Sequence, residues 1–105
     1  MPGPGDATAG PYRVVYPEVV RHGLLRASER AAELGLQPDF LAAAKAVEAR
    51  LQSDPLEFGE PLYTLRHAGL EVRAGAFNLL GVRYGVDRAR RLVYVVEFKL
   101  LRYGS

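Results

Sequence analysis

Hydrophobic residues recur with two different periods along this chain, and the first is the period of α-helices. In two successive segments the apolar positions lie three or four residues apart, on one face of a helix. The first stripe is Val20, Leu24, Ala27, Ala31 and Leu34, and the second is Phe40, Ala44, Val47 and Leu51. Gly35 and Pro38 end one helix and begin the next, leaving a short connection. The pattern therefore predicts an antiparallel helical hairpin.

Beyond the turn-rich segment DPLEFGEP (54–61) the period becomes two, which is typical of β-strands. The predicted strands are 62–67, 70–77, 79–86 and 91–101. The turns between them are short, so neighbouring strands should be antiparallel and form a meander. A further short strand, 12–16, precedes the helices and ends at Pro17.

These elements predict an α+β fold in the order β-α-α-β-β-β-β. We expect one domain spanning 12–105, in which a four-stranded antiparallel meander packs on the helical hairpin. Residues 1–11 are rich in proline and glycine and poor in apolar side chains, so we expect them to form a disordered tail.

Alternation along the predicted strands sorts their side chains onto two faces, and the apolar sets should face the helices. The opposite face then carries Arg73, Arg83, Lys99 and Glu97, among the glycines Gly75, Gly81 and Gly85. These cations either form an ordinary solvated surface or bind an anionic group. The glycines either permit bulges or let a ligand backbone approach closely. The residues alone leave both alternatives open.

Composition limits the chemistry that this domain can perform. The chain has no cysteine, which excludes disulfides and zinc sites built on thiolates and favours a reducing cytoplasm. Its two histidines, His22 and His67, lack metal-ligand spacing, so we expect no metal and no cofactor. No signal peptide or membrane-spanning stretch is evident, so we expect a cytoplasmic protein without a membrane partner.

The small positive charge is concentrated in the β-rich half. Residues 1–57 hold six Lys/Arg against eight Asp/Glu, a net charge of −2, and residues 58–105 hold eight against four, a net charge of +4. A bias of this size permits a polyanionic partner.

Short motifs in the β-rich half resemble the RelE/ParE toxin superfamily of bacterial type II toxin–antitoxin modules. The segment "LEVRAG…VRYGVDRARRLVYVVEF" carries most of the resemblance, which extends from residue 12 to about 102. Arg73-Ala-Gly75 matches the family's arginine-x-glycine on a central strand, and Val82-Arg-Tyr84 matches the following strand. An acidic turn at Asp87 and a hydrophobic last strand ending at Lys99 complete the pattern, and DPLEFGEPLYTL resembles the family's linker.

The resemblance implies a toxin that a cognate antitoxin neutralises. RelE-type members cleave mRNA in the ribosomal A site without a metal, using the 2′-OH of the RNA as the nucleophile. On this basis Arg73 would hold the scissile phosphate and Lys99 would act as acid or second clamp, with Glu60 or His67 as candidate base. Arg83, Arg66 and Tyr103 would bind RNA.

The family includes a second mode of action, which remains an alternative. ParE-type members act on DNA gyrase and lack the nuclease residues. This chain could therefore be a non-nuclease or inert member that works by binding a protein, either gyrase or only its antitoxin.

Overall fold

A five-stranded mixed sheet carries two long helices on one of its faces. The computed structural model describes residues 11–101, so Tyr103 and nearly all of the predicted tail lie outside the described residues. The helices are α1 (Glu18–Glu33), α2 (Gln37–Ser53) and the single turn α3 (Pro55–Phe58). The strands are β1 (Arg13–Val15), β2 (Glu60–Leu65), β3 (Leu70–Phe77), β4 (Leu80–Asp87) and β5 (Leu92–Leu100), with a 3₁₀ turn at Arg66–Ala68.

The predicted α+β fold and its order of elements are confirmed, and the structure adds the position of the first strand. The sheet order is β1-β5-β4-β3-β2. Strands β2 to β5 form the antiparallel meander, and β1 pairs in parallel with β5, with Arg13 opposite Leu92. None of the helices within residues 11–101 is long and apolar enough to cross a membrane.

Local sequence signals define the helix ends. Pro17 precedes α1, where a missing backbone N–H costs little, and Pro38 occupies the first turn of α2. Between the helices, Gly35 adopts a left-handed conformation with φ of 74°, which suits a residue without a side chain. The Asp54 carboxylate accepts a hydrogen bond from Arg50 Nε at 2.9 Å where α2 gives way to α3.

The core lies between the helices and the sheet. Helix α2 contributes four buried residues at helical spacing: Phe40, Ala43, Val47 and Leu51. The facing side of β4 contributes Leu80, Val82, Tyr84 and Val86. Burial of these apolar surfaces is the main stabilising contribution, at about 25 cal/mol per Å².

A bulge reverses the alternation of β5. Arg83 pairs with Glu97 but Tyr84 pairs with Val95, so Val96 is the extra residue. Val95 is consequently 1% exposed on the helix side, whereas Val96 is 47% exposed. Strict alternation from Glu97 and Lys99, which the sequence places on the opposite face, would put Val93 and Val95 on that face as well, and for this first half of the strand the expectation is wrong. One inserted residue moves every side chain on one side of the bulge to the opposite face of the sheet. The alternation of apolar and polar residues in the sequence does not reveal where such a residue is inserted.

Candidate functional site

Arg73 lies on the helix side of the sheet, not on the face that carries Arg83. Strand register pairs Arg73 with Tyr84 and pairs Ala74 with Arg83, so the two arginines point to opposite faces. Arg73 is only 8% exposed. The expected shared face of Arg73 and Arg83 is therefore wrong, because the pattern of β3 (Leu70, Val72, Ala74, Ala76) is apolar on the side away from the helices.

The guanidinium of Arg73 is engaged by groups of the protein itself. It donates hydrogen bonds to the Glu71 carboxylate and to the backbone carbonyl of Gly59. Glu71 also accepts a hydrogen bond from Arg88 at 3.0 Å. Burial alone would raise the pKa of Glu71, but the hydrogen bonds from Arg88 and Arg73 outweigh it and hold that pKa below its usual value. In this position Arg73 fastens the segment before β2 to the sheet.

Tyr84 and Phe58 complete this anchor. The Tyr84 hydroxyl donates a hydrogen bond to the Pro55 carbonyl at 2.7 Å, and its ring stacks on Phe58 with centroids 6.2 Å apart. Burial raises the pKa of Tyr84, with Arg73 acting in the opposite direction. A side chain at Gly75 would meet the Phe58 ring at 2.7 Å, so the glycine of the arginine-x-glycine motif makes room for Phe58. This explanation differs from both alternatives that the sequence left open.

The opposite side of the sheet, which we call the outer face, contains an open concavity of about 310 Å³. Its floor consists of small residues, among them Ala74, Ala76 and Gly81. At Gly81 a side chain would approach a methyl group of Leu101 at 3.4 Å. The concavity therefore depends on the absence of large side chains at these adjacent positions of β3 and β4.

Charged side chains surround this concavity. Arg83 and Glu97 form an ion pair at 3.0 Å, and both side chains are about half exposed. Lys99 lies opposite Gly81 and is exposed, and its ammonium group makes no hydrogen bond or ion pair with any residue within 11–101. The outer face thus presents one paired and one unpaired cation at the same concavity.

Glu60 lies in the same row of the outer face. The register runs from Glu60 to Ala74, then to Arg83, and then to Glu97. Two strand spacings separate the Glu60 backbone from that of Arg83, about 10 Å. Glu60 is exposed. Of the predicted site residues, the fold therefore brings Glu60, Arg83 and Lys99 to one surface.

His67 and Arg66 lie elsewhere. Both belong to the 3₁₀ turn that joins β2 to β3, and both are exposed. This turn is at the opposite end of the sheet from the row of Ala76 and Gly81, six residues or about 20 Å along β3. Neither side chain shares the concavity with Lys99.

Sequence reasoning overlooked Gly59, which packs against the sheet on the helix side and immediately precedes Glu60 of the outer face. A side chain there would come within 2.6 Å of the Ala74 carbonyl oxygen and 2.7 Å of the Tyr84 hydroxyl. This close approach places Glu60, the next residue, at the start of β2. The sequence does show a glycine between Phe58 and Glu60 in a turn-rich segment. Its role could not be predicted from that position, because it depends on Ala74 and Tyr84, which lie 15 and 25 residues further along the chain. Within residues 11–101, no group of three or more His, Cys, Asp or Glu side chains is arranged to hold a metal ion.

A solved structure shares this fold. It is a chain in the crystal structure of the toxin–antitoxin complex RelBE2 from Mycobacterium tuberculosis, with a TM-score of 0.59 and 23% sequence identity. The match covers 87% of this chain and 92% of that chain. A scan against models of protein families finds no match, and a search of curated protein sequences finds none either. The similarity concerns the arrangement of helices and strands, and a shared fold does not by itself transfer an activity.

Proposed function

We propose that this chain is the toxin component of a toxin–antitoxin module and that the outer face is its working surface. The fold similarity to a chain of a toxin–antitoxin complex supports the proposal, as do the RelE/ParE-like motifs. The observation that carries it is the outer-face concavity, where Arg83 and Lys99 lie beside a floor of small residues. A cognate antitoxin is the implied protein partner.

The mode of action that uses these charges is metal-free cleavage of mRNA on the ribosome. Glu60 would accept the proton of the 2′-OH while the 2′-oxygen attacks the phosphorus. Arg83 and Lys99 would stabilise the negative charge of the pentavalent phosphorane. Lys99 would then donate a proton to the departing 5′-oxygen, leaving a 2′,3′-cyclic phosphate and a 5′-OH. Arg73 acts in this proposal as a positioning residue, through the Gly59 carbonyl and not on the phosphate.

A second candidate function is the binding of a protein target without RNA cleavage. Two observations favour it: Leu62 at the edge of the concavity is 50% exposed, and Glu97 pairs with the Arg83 guanidinium. An apolar, partly neutralised concavity suits a protein surface as well as a phosphate. Gyrase or the antitoxin alone would be the partner in this mode.

Induced expression in a bacterial host tests the proposal. We expect growth arrest, relief of that arrest by a small antitoxin encoded beside the gene, and cleavage of ribosome-bound mRNA. The variant Arg83→Ala/Lys99→Ala should lose both arrest and cleavage, because it removes both cations of the concavity. The control Arg26→Ala/Lys45→Ala removes two exposed cations from the helices and should behave like the unaltered protein.

The two modes give different outcomes. Arrest that persists in Arg83→Ala/Lys99→Ala, without mRNA cleavage, contradicts the nuclease and supports protein binding. Absence of arrest by the unaltered, folded protein overturns the toxin proposal itself.

A further inference from the structure

A carboxylate lies among the cations of the outer-face concavity. Arg83, Lys99 and Glu97 all line it, and Glu97 is the acidic residue among the described residues around it. A negative charge at this position weakens the binding of every anion, and the loss grows with the charge of the anion. The presence of Glu97 therefore bears on which anions the concavity accepts.

The bulge in β5 brings Glu97 to this face. Val93 and Val95 are buried on the helix side, so strict alternation would direct Glu97 and Lys99 to that side as well. The extra residue, Val96, instead turns Glu97 and Lys99 to the outer face. Bulges are common beside functional sites, where they redirect side chains. One feature of the backbone thus delivers the carboxylate and one of the two cations together.

Glu97 contacts Arg83 without covering it. The two residues are directly opposite each other on β4 and β5, and Arg83 Nη2 lies 3.0 Å from Glu97 Oε1. Both side chains are about half exposed, and a guanidinium has five N–H donors, so donors remain for phosphate oxygens. Lys99 is two residues from Glu97 on the same face, about 7 Å along β5. A phosphate held by both cations would therefore lie within about 7 Å of the Glu97 carboxylate.

The charge of the ligand determines how strongly Glu97 opposes it. A phosphodiester carries one negative charge, whereas a phosphate monoester carries nearly two at a pH above its second pKa of about 6. Arg83 and Lys99 alone would favour the monoester for this reason, and Glu97 lowers the net charge of the group from +2 to +1. At a separation of about 7 Å in a largely solvated site, each negative charge of the ligand loses about threefold in affinity.

We propose that Glu97 is a specificity-determining residue, which disfavours phosphate monoesters relative to the internal phosphodiesters of RNA. This inference rests on the proposed function, because it takes an RNA phosphate as the ligand of the concavity. Free nucleotides and terminal phosphates are the competing anions, and Glu97 rejects them by repulsion of their second charge. Specificity of this kind sacrifices some affinity for the correct ligand in order to lose more affinity for the wrong one.

Titrations of the purified chain, followed by amide chemical shifts in NMR spectra, test this proposal at pH 8 and about 0.1 M salt. The two probes are 2′-O-methyl UpU, a diester that lacks the 2′-OH nucleophile, and 2′-O-methyluridine 3′-monophosphate, a dianion at this pH. We expect Glu97→Gln to strengthen binding of the diester about threefold and binding of the monoester about tenfold, because the repulsion doubles with the ligand charge. The fold should survive, since exposed ion pairs contribute little to stability. Circular dichroism checks this point.

The matched control is Glu29→Gln, which removes an exposed carboxylate from α1 and should leave both affinities unchanged. Arg83→Ala/Lys99→Ala should bind neither probe, which locates the binding at the concavity. Equal gains for the two probes in Glu97→Gln, no gain for either, or no binding by the unaltered protein overturns the inference.

Failure of this inference and failure of the proposed function are distinguishable. Growth arrest and mRNA cleavage by the unaltered protein, with equal effects of Glu97→Gln on the two probes, overturn only the role of Glu97. The expected unequal gains in a folded protein that causes no arrest support the charge selection by Glu97 and overturn the toxin proposal.

Discussion

The pairing of Arg73 with the Glu71 carboxylate and the Gly59 carbonyl determines what this residue can do. The side chain is 8% exposed, and its two terminal NH2 groups donate to groups of the protein, whereas its buried Nε has no hydrogen-bond partner within residues 11–101. Arg83 has the same residue type on the adjacent strand but is exposed and forms only a surface ion pair. Their environments are therefore different: Arg73 is bonded within the fold, and Arg83 is exposed on the outer face.

This difference predicts unequal losses of stability. We expect Arg73→Ala to lower the free energy of unfolding by about 2–4 kcal/mol, because it leaves the Gly59 carbonyl and part of Glu71 without their donor. Arg83→Ala should change it by less than about 0.5 kcal/mol, since exposed ion pairs contribute little. Urea denaturation measures both. Similar losses in the two variants would contradict the assignment of the two arginines to opposite faces.

A second residue-scale prediction concerns pH. The pKa of Glu71 is lowered in the folded chain, so its ionised form contributes stability that is fully present above its unfolded pKa, about 4.3. That contribution is lost as the pH falls from this value through the lower folded pKa. Denaturation curves measured from pH 7 to pH 3 should show this decline, and Glu71→Gln should flatten it. The control Glu97→Gln should keep the decline, and a decline that Glu71→Gln leaves unaltered would refute the assignment.

At the scale of elements, the connection from α3 to β2 matters most for the outer face. Phe58 lies on Gly75, the Tyr84 hydroxyl binds the Pro55 carbonyl, and Gly59 packs against the backbone of Ala74. These contacts come from the helix side, yet they determine where β2 begins and so where Glu60 stands on the outer face.

Two glycine substitutions test this packing. Gly59→Ala should destabilise the fold by about 1–3 kcal/mol, because the new Cβ meets a backbone oxygen at 2.6 Å that cannot move independently of β3. Gly23→Ala should stabilise it by about 0.5–1 kcal/mol, because Gly23 lies in the interior of α1 with nothing within 4 Å of the new Cβ. Thermal unfolding with calorimetry distinguishes the opposite signs. A neutral Gly59→Ala would show that this connection does not constrain β2.

For the molecule as a whole, stability should decrease from the centre of the sheet towards the edge strand β2. Seven of the eight residues of β4 are buried, and β4 pairs on both sides. Strand β2 is at an edge, and five of its six residues are exposed. Arg83 therefore lies on the most buried strand, β4, whereas Glu60 lies on the exposed edge strand, β2.

Amide hydrogen exchange measures this gradient. We expect the paired amides of β4 to exchange on the order of 100-fold more slowly than those of β2, because local opening at an edge exposes less apolar surface than opening at the centre. The β5 amides that pair with β4 provide an internal reference and should exchange slowly as well. Uniform protection across the sheet would instead indicate that the described residues open only as one unit.

The spacing of apolar residues and the positions of turn residues were sufficient to predict the order of the helices and strands. The change from a spacing of three or four to a spacing of two separated the helices from the strands, because these periods follow from backbone geometry. Gly35, Pro17 and Pro38 indicated the helix ends for equally local reasons. The short turns required antiparallel neighbours, and the structure contains them.

The direction of side chains depended on tertiary contacts. Arg73 faces the helices because the Gly59 carbonyl and Glu71 receive its guanidinium there, and because Gly75 accommodates Phe58 on the same side. The bulge at Val96 turned the first half of β5 over, and the parallel pairing of β1 joins segments nearly 80 residues apart. None of these can be read from local alternation, since each depends on which distant group occupies the space opposite.

The sequence by itself thus determined the α+β order of the chain and the types of charge that it carries. Only the tertiary structure decided which charges lie together, such as Glu60, Arg83 and Lys99 on the outer face. The physical reason is that helix and strand periods are local properties of the backbone. A shared surface depends instead on register, bulges and packing between residues that are remote in the chain.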